Sequence, residues 1–315
     1  MRTILTLSVL FLAICVGCTK TTPKSVEKTP PPPITPSDSD EGILKPRPHV
    51  EPLVPRVDPP KETTGIVVES LGKYAAEIVP LPPVDDLTAQ IDEYITKLGT
   101  NLESLEGSAR YASDAVDIVR DANALSLVAK AIGLAETDSK YKKSAPLMVV
   151  AAQNLAAAKS HAEGQKAYDG LKLALTGTGG GAPLSWSVST AHLTPLMKAV
   201  PNLSSTAKRL TNTERKLSMQ LERKPEQIYG AFAALAVISQ GSIANVSETT
   251  KPDAAAEWKK FCEEFRNVAL KANVVTRQYA EKQADYAAFK TAIDAVSVSC
   301  DHCHEVFYPS AVGQE

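Results

Sequence analysis

The sequence predicts an all-α protein in which two tandem four-helix-bundle modules follow a disordered proline-rich tether. Three patterns predict it: apolar residues recur every three or four positions after Asp85, prolines are concentrated before it, and similar residues recur 118 positions apart (162 to 280). Of 315 residues 43% are hydrophobic, which is enough for a core. The 34 Lys and Arg nearly balance the 36 Asp and Glu, so charge gives no reason to expect nucleic acid as a partner.

The N-terminus predicts export. A basic start precedes an apolar run from Ile4 to Val16, which is too short to span a bilayer and is typical of a secretory signal peptide, here residues 1–17. The run ends at Cys15-Val16-Gly17-Cys18, which resembles a bacterial lipoprotein signal, although Leu is usual where Cys15 stands. That resemblance implies lipidation at Cys18 and a membrane-anchored protein on the periplasmic side. An ordinary cleaved signal with an incidental Cys18 is the alternative.

Residues 18–84 are predicted to form a lipid-anchored, proline-rich linker. Fifteen of the 22 prolines lie between Thr19 and Val84. Proline fixes φ and lacks an N–H, so this segment favours a semi-extended spacer over a helix or a sheet. A proline-rich recognition ligand is the other interpretation.

Helical periodicity begins at Asp85 and predicts eight helices in two groups of four. A Gly-rich stretch, Gly177-Thr178-Gly179-Gly180-Gly181, separates the groups. It lacks the Gly-Lys-Ser/Thr ending and the preceding strand of a nucleotide-binding loop, so we interpret it as a linker. The predicted helices span residues 85–106, 109–135, 142–161, 162–176, 203–223, 225–245, 253–277 and 279–306.

The two groups of helices resemble each other in sequence. Ala162-Glu163-Gly164-Gln165 with Tyr168 matches Ala280-Glu281-Lys282-Gln283 with Tyr286, and the same offset maps Tyr111 onto Tyr229. The pattern predicts a duplication, with a first four-helix module at 85–182 and a second module at 183–315. A single irregular eight-helix domain is the alternative.

Cys300-Asp301-His302-Cys303-His304 is C-x-x-C-H, the attachment motif for c-type haem. Residues three apart share a helix face, so Cys300 and Cys303 can bind two vinyl groups of one haem covalently, and His304 is the proximal iron ligand. An apolar stripe on the same helix directs the haem into the bundle. A redox-active disulfide, a zinc site completed by Cys262, and coincidence are the alternatives.

The position of this motif near the end of a last helix resembles the cytochrome c′ family, from about Leu193 to Tyr308. No methionine follows the motif, unlike the small cytochromes c that take a downstream Met ligand. The resemblance implies a distal pocket on the module's first helix, where Met197 is the candidate distal ligand. Leu193 and Leu196 are apolar alternatives, and His192 is a further possible ligand.

The first module has no such motif. Its matching positions are Ala182, Ser185 and Trp186, which predicts one haem c per chain. We therefore expect a monohaem cytochrome that transfers single electrons to a periplasmic redox partner protein. The alternatives are a five-coordinate protein that binds nitric oxide or carbon monoxide, and a protein whose haem-free module docks a redox enzyme. No Ser-His-Asp set, paired carboxylates or His-x-x-x-His motif indicates an enzyme.

Overall fold

The computed structural model describes residues 79–309, which form helices and loops without a β-strand. The all-α prediction is therefore confirmed. The predicted signal peptide, Cys18 and the linker up to residue 78 lie outside the described residues. In the described range the helices are α1 Val84–Ser104, α2 Tyr111–Asp114, α3 Val116–Leu134, α4 Ala145–Ala157, α5 His161–Thr176, α6 Leu193–Thr211, α7 Glu214–Arg223, α8 Pro225–Ser242, α9 Ala255–Ala280 and α10 Tyr286–Phe307, with a 3₁₀ helix at Ile243–Glu248.

Several helix boundaries differ from the prediction, and two of the eight predicted helices are interrupted: 109–135 is divided into α2 and α3, and 203–223 into α6 and α7. Helix α6 begins at Leu193, ten residues before the predicted start, and continues through Pro201. Helix α10 begins at Tyr286 rather than at 279, because the Asp285 side chain accepts a hydrogen bond from the Ala288 N–H at 2.8 Å and caps it there. The end of the predicted linker also belongs to the fold, since Leu81 is fully buried in the core.

The packing of the helices repeats between the two halves. In the first half α1 packs on α3 and α5, and α4 lies between α3 and α5; α6, α8, α9 and α10 make the corresponding contacts in the second half. Across the halves α1 packs on α8 and α3 packs on α6, while α3 and α8 meet each other. This reciprocal pattern is the one expected when two similar surfaces face each other about a two-fold axis. The boundary between the modules at 182 and 183 stays a prediction, and it lies in the loop between α5 and α6.

A pair of tyrosines illustrates the repetition at the level of single hydrogen bonds. The Tyr168 hydroxyl of α5 donates to the Ile95 carbonyl of α1 at 2.9 Å. Its counterpart in α10, Tyr286, donates to the Thr211 carbonyl of α6 at 3.0 Å. In each half the last helix is thus tied to the first helix by the same kind of contact.

Helices α3 and α8 are the most buried elements and hold the halves together. A Cβ atom on Gly241 of α8 would lie 2.5 Å from a methyl carbon of Leu127 in α3, so the two backbones approach closely because position 241 is Gly. By length and composition Pro225–Glu248 could cross a membrane, with a mean hydropathy of 1.3, but 78% of that window is buried among the other helices. Its apolar character is therefore accounted for by its central position.

A buried polar contact also joins the halves. Asp86 of α1 is buried and accepts hydrogen bonds from Asn273 at 3.0 Å and from Arg277, both in α9. The Arg277 guanidinium lies 4.1 Å from the centre of the Tyr229 ring. Because an unpaired buried charge is costly, this network favours one relative placement of α1 and α9.

The burial of Lys130 in α3 predicts that the stability of the fold depends on pH. It is fully buried, donates to the Val188 carbonyl, and lies 5.4 Å from the centre of the Trp186 ring. Burial lowers the pKa of Lys130 from 10.5 to about 8. Between pH 8 and pH 10.5 Lys130 is mostly protonated in the unfolded chain and mostly neutral in the folded chain. The free energy of unfolding that depends on Lys130 therefore rises by about 1 kcal/mol per pH unit in this range.

Urea unfolding of the wild type and of Lys130→Met from pH 7.5 to 10.5 measures this slope. As the pH rises, the free energy of unfolding of the wild type should increase relative to that of Lys130→Met. Lys259→Met, on an exposed part of α9, serves as the control and should leave the slope as it is. A difference between the wild type and Lys130→Met that stays constant over this range would contradict the assignment.

Candidate functional site

The candidate site is a cavity of about 520 Å³ inside the second half. Helices α6, α8, α9 and α10 form a closed ring around it, each packing on the next. Its exposed lining residues are mostly on α6, so the cavity opens to solvent beside that helix. A volume of 300–1,000 Å³ is typical of small-molecule and cofactor sites. The chemically informative lining residues are Met197, Cys262, Cys300, Cys303 and His304.

The structure brings the three motif residues together on the wall formed by α10. Cys300, Cys303 and His304 all line the cavity and are half-buried. The end of α10 that carries them is anchored by Phe307, which is fully buried with its ring centre 5.0 Å from that of Trp258. The Phe307 carbonyl also accepts a hydrogen bond from Thr250. Packing on both sides of the helix therefore fixes the direction of the motif.

The start of α6 is held by hydrogen bonds from both halves. The His192 N–H donates to Asn123 of α3 at 2.8 Å, and the Leu193 N–H donates to Glu248 of the 3₁₀ helix at 2.9 Å. The Ala191 carbonyl accepts from Asn245 at 2.8 Å. These contacts replace the missing intrahelical partners of a helix start, and they fix which side chains of α6 face the cavity.

Among the four predicted distal residues, Met197 lines the cavity. Leu196 is buried in the main core, and Leu193 is buried in the cluster of Trp258, Cys262 and Phe307 that adjoins the cavity, but neither leucine lines it. The His192 side chain is 81% exposed beside Glu248. His192 therefore lies on the surface. Of the candidates from the resemblance, the described structure places Met197 on the same cavity as the motif.

Pro201 shapes α6 next to Met197. Proline has no N–H, so the Met197 carbonyl lacks the donor that would normally come from four residues later. Both residues line the cavity. We infer that the weakened turn lets α6 bend around the cavity where Met197 projects.

The wall of the cavity is largely apolar, even where it contains hydroxyl groups. The Ser239 hydroxyl donates to the Cys262 carbonyl, and the Ser242 hydroxyl donates to the Ile238 carbonyl. The Trp258 indole N–H donates to the Ser242 carbonyl at 2.8 Å. Because these groups bond to backbone, the wall formed by α8 and α9 presents mainly hydrocarbon, aromatic and sulfur surface, whereas the polar lining residues Lys198, Asn202 and Lys208 belong to α6. This surface, with two thiols and one imidazole on one helix, fits the apolar faces of a haem.

The buried thiols are protonated near neutral pH. Burial raises the pKa of the Cys303 thiol from 9.0 to about 11, and it raises the pKa of Cys262 further. A thiol held protonated is a slow nucleophile and is slow to oxidise. The chain can therefore keep these sulfurs reduced until another reactant reaches the cavity.

The first half has no matching site. The residue equivalent to His304 is Trp186, which is buried under the Lys130 ammonium. Ala182 and Ser185 lie in the loop after α5 rather than on a helix, and the Ser185 hydroxyl pairs with that of Ser187 at 2.7 Å. The region equivalent to the second half of α10 is thus folded as a loop.

Two kinds of lining residue were not identified from the sequence. Cys262, which the sequence suggested only as a possible zinc ligand, lines the cavity with Phe261 and Phe265 of α9. The aromatic spacing Trp258, Phe261 and Phe265 was the available signal. Arg120 lines the cavity too, although it belongs to α3 of the first half, and no pattern in the sequence indicates that contact.

The alternative sites receive no structural support in the described range. A thioredoxin-like disulfide site needs a strand before its motif, and residues 79–309 contain none. The same residues contain no group of three or more His, Cys, Asp or Glu side chains that could hold a metal ion. Haem does not require such a group, because the porphyrin supplies most ligands of its iron. Comparisons with known protein families, curated proteins and solved structures find no match to this chain.

Proposed function

We propose that this protein is an exported monohaem c-type cytochrome that transfers single electrons between protein partners. One observation carries the proposal: an apolar cavity of about 520 Å³ is lined by Cys300, Cys303 and His304 on one wall and by Met197 on another helix. The haem, when bound, supplies an iron that changes between the ferrous and ferric states. The chain supplies the ligands, the apolar surroundings and the connection to a partner.

Cys300 and Cys303 are the residues that would hold the cofactor covalently. Each thiol would add its S–H across one vinyl group, with sulfur on one vinyl carbon and hydrogen on the other, so that no oxidant would be needed. The three-residue spacing puts Cys300 and Cys303 on the same face of α10, and His304 follows on the helix to hold the iron.

Met197 favours electron transfer over the binding of gases. A thioether is a good axial ligand for haem iron and raises its potential. If Met197 also held the iron, a molecule such as carbon monoxide would have to compete with its thioether. The open side of the cavity beside α6 is the surface where an edge of the cofactor comes nearest to a redox partner protein.

The alternative is a five-coordinate haem that binds nitric oxide or carbon monoxide. Val200 favours it, because this apolar side chain lines the cavity three residues after Met197 on the same helix. If Val200 rather than Met197 covers the iron, the distal position stays open and apolar.

The central prediction concerns covalent haem. In a host with haem-attachment machinery, the wild type should retain haem on a denaturing gel, and Cys300→Ala/Cys303→Ala should lose it completely. Cys262→Ala is the matched control, because it removes a third thiol from the same cavity but not from the motif, and it should keep its haem. Haem staining of the double variant at the wild-type level would refute the proposal.

The second prediction distinguishes the two functions by absorption spectra. The reduced wild type should show sharp bands that do not change with carbon monoxide. Met197→Ala should broaden these bands and make them shift with the gas, whereas Met219→Ala, on an exposed part of α7, should change nothing. A wild type that already binds carbon monoxide would instead support the five-coordinate alternative.

We also propose that Cys18 carries a lipid that anchors the exported protein. Cys18→Ala should move the protein from the membrane fraction to the soluble fraction of the host. Cys15→Ala, three residues earlier, removes the other thiol of the same segment and should leave the protein in the membrane fraction. Membrane association that persists in Cys18→Ala would end the lipoprotein interpretation.

A further inference from the structure

A cation from the haem-free half reaches the cavity of the other half. The residues that line the cavity come from α6, α8, α9 and α10, apart from Arg120 of α3 in the described chain. Its side chain is 14% exposed, although it carries a permanent charge. An arginine at this position needs an explanation, because the rest of the inner wall is largely apolar.

Arg120 donates three hydrogen bonds to carboxylate oxygens. Its Nε and Nη2 donate to the two carboxylate oxygens of Asp121 at 2.7 and 3.1 Å, and its Nη1 donates to Asp117. A guanidinium has five N–H groups, so one N–H on each terminal nitrogen has no protein partner within residues 79–309. N–H groups on the terminal nitrogens of a guanidinium are donors that carboxylates accept as strong, charge-assisted hydrogen bonds.

The position of Arg120 fits one part of the proposed cofactor. Helix α3 packs on α6 and α8, so Arg120 comes to the cavity from their side of the ring, while the motif is on α10, opposite α8. In haem the two vinyl groups are on neighbouring pyrroles, and the two propionates are on the other pair. If the vinyl edge is bonded to Cys300 and Cys303, the propionate edge is directed away from α10.

We propose that Arg120 binds a haem propionate and thereby makes the haem-free half a part of the cofactor site. The inference rests on the proposed function. Asp117 and Asp121 hold the guanidinium at the wall of the cavity, where its remaining N–H groups are available to a ligand. Lys198 and Lys208 of α6 also line the cavity and add positive charge near its opening. Other charged groups line the polar cleft that Arg120 shares with α1 and α6, namely Glu93, Lys97 and Arg209.

Variants of Arg120 in the full chain, matured with haem, test this inference. Arg120→Gln should lower the midpoint potential, because loss of a nearby positive charge stabilises the ferric form. It should also shift the propionate bending band in the resonance Raman spectrum, which responds to hydrogen bonding of the carboxylate. Arg120→Lys should keep most of the potential yet shift the band, because lysine lacks the planar pair of donors. Arg110→Gln removes a charge from the exposed surface of the same half, and it should leave both signals unchanged.

A second pair of variants separates a lost contact from a damaged fold. Asp121→Asn should raise the potential, opposite in sign to Arg120→Gln, whereas structural damage would move both in one direction. If Arg120→Gln fails to fold with Asp121 unpaired, Arg120→Gln/Asp121→Asn is compared with Asp121→Asn, and the band should differ between them. A propionate band that is the same with and without Arg120 overturns the inference, even if the potential moves. Absence of covalent haem in the wild type would instead refute the proposed function itself.

Discussion

The described structure depends on the contact between α3 and α8, the inner helices of the two halves. Each is buried on nearly all sides, so the core of each half is built around it. Their close approach at Leu127 and Gly241 joins both halves into one continuous core. The same contact brings α3 next to the cavity of the second half, which is why a side chain of the first half can line it.

The size of the cavity is informative about its contents. A volume of about 520 Å³ lies in the range of cofactor sites, and the cavity is open to solvent beside α6. Water can enter there, where Lys198, Asn202 and Lys208 offer it partners, whereas Ser239 and Ser242 in the inner wall bond to backbone carbonyls. A ligand with an apolar body and a polar edge would match this surface, whereas the equivalent region of the first half is folded as a loop in which Trp186 is buried.

The sequence predicted the helical class, the repetition and the position of the motif, because these depend on local periodicity and spacing. It missed the true start of α6, since Pro195 and Pro201 obscure the helical pattern and the helix begins on hydrogen bonds from Asn123 and Glu248. It also missed Arg120, because a contact between halves depends on their packing rather than on periodicity. The start of α6 also determines which of its side chains line the cavity, so the sequence could not distinguish Met197 from Leu193 and Leu196.

The first half acts on the site in two places that the duplication alone does not explain. Asn123 of α3 holds the segment from which α6 begins, and Ser126 donates to the Thr190 carbonyl two residues earlier at 2.8 Å. Arg120 is on the same helix, one and two turns before these residues. A single helix of the first half therefore positions the start of α6, and with it Met197, and supplies the cation at the cavity.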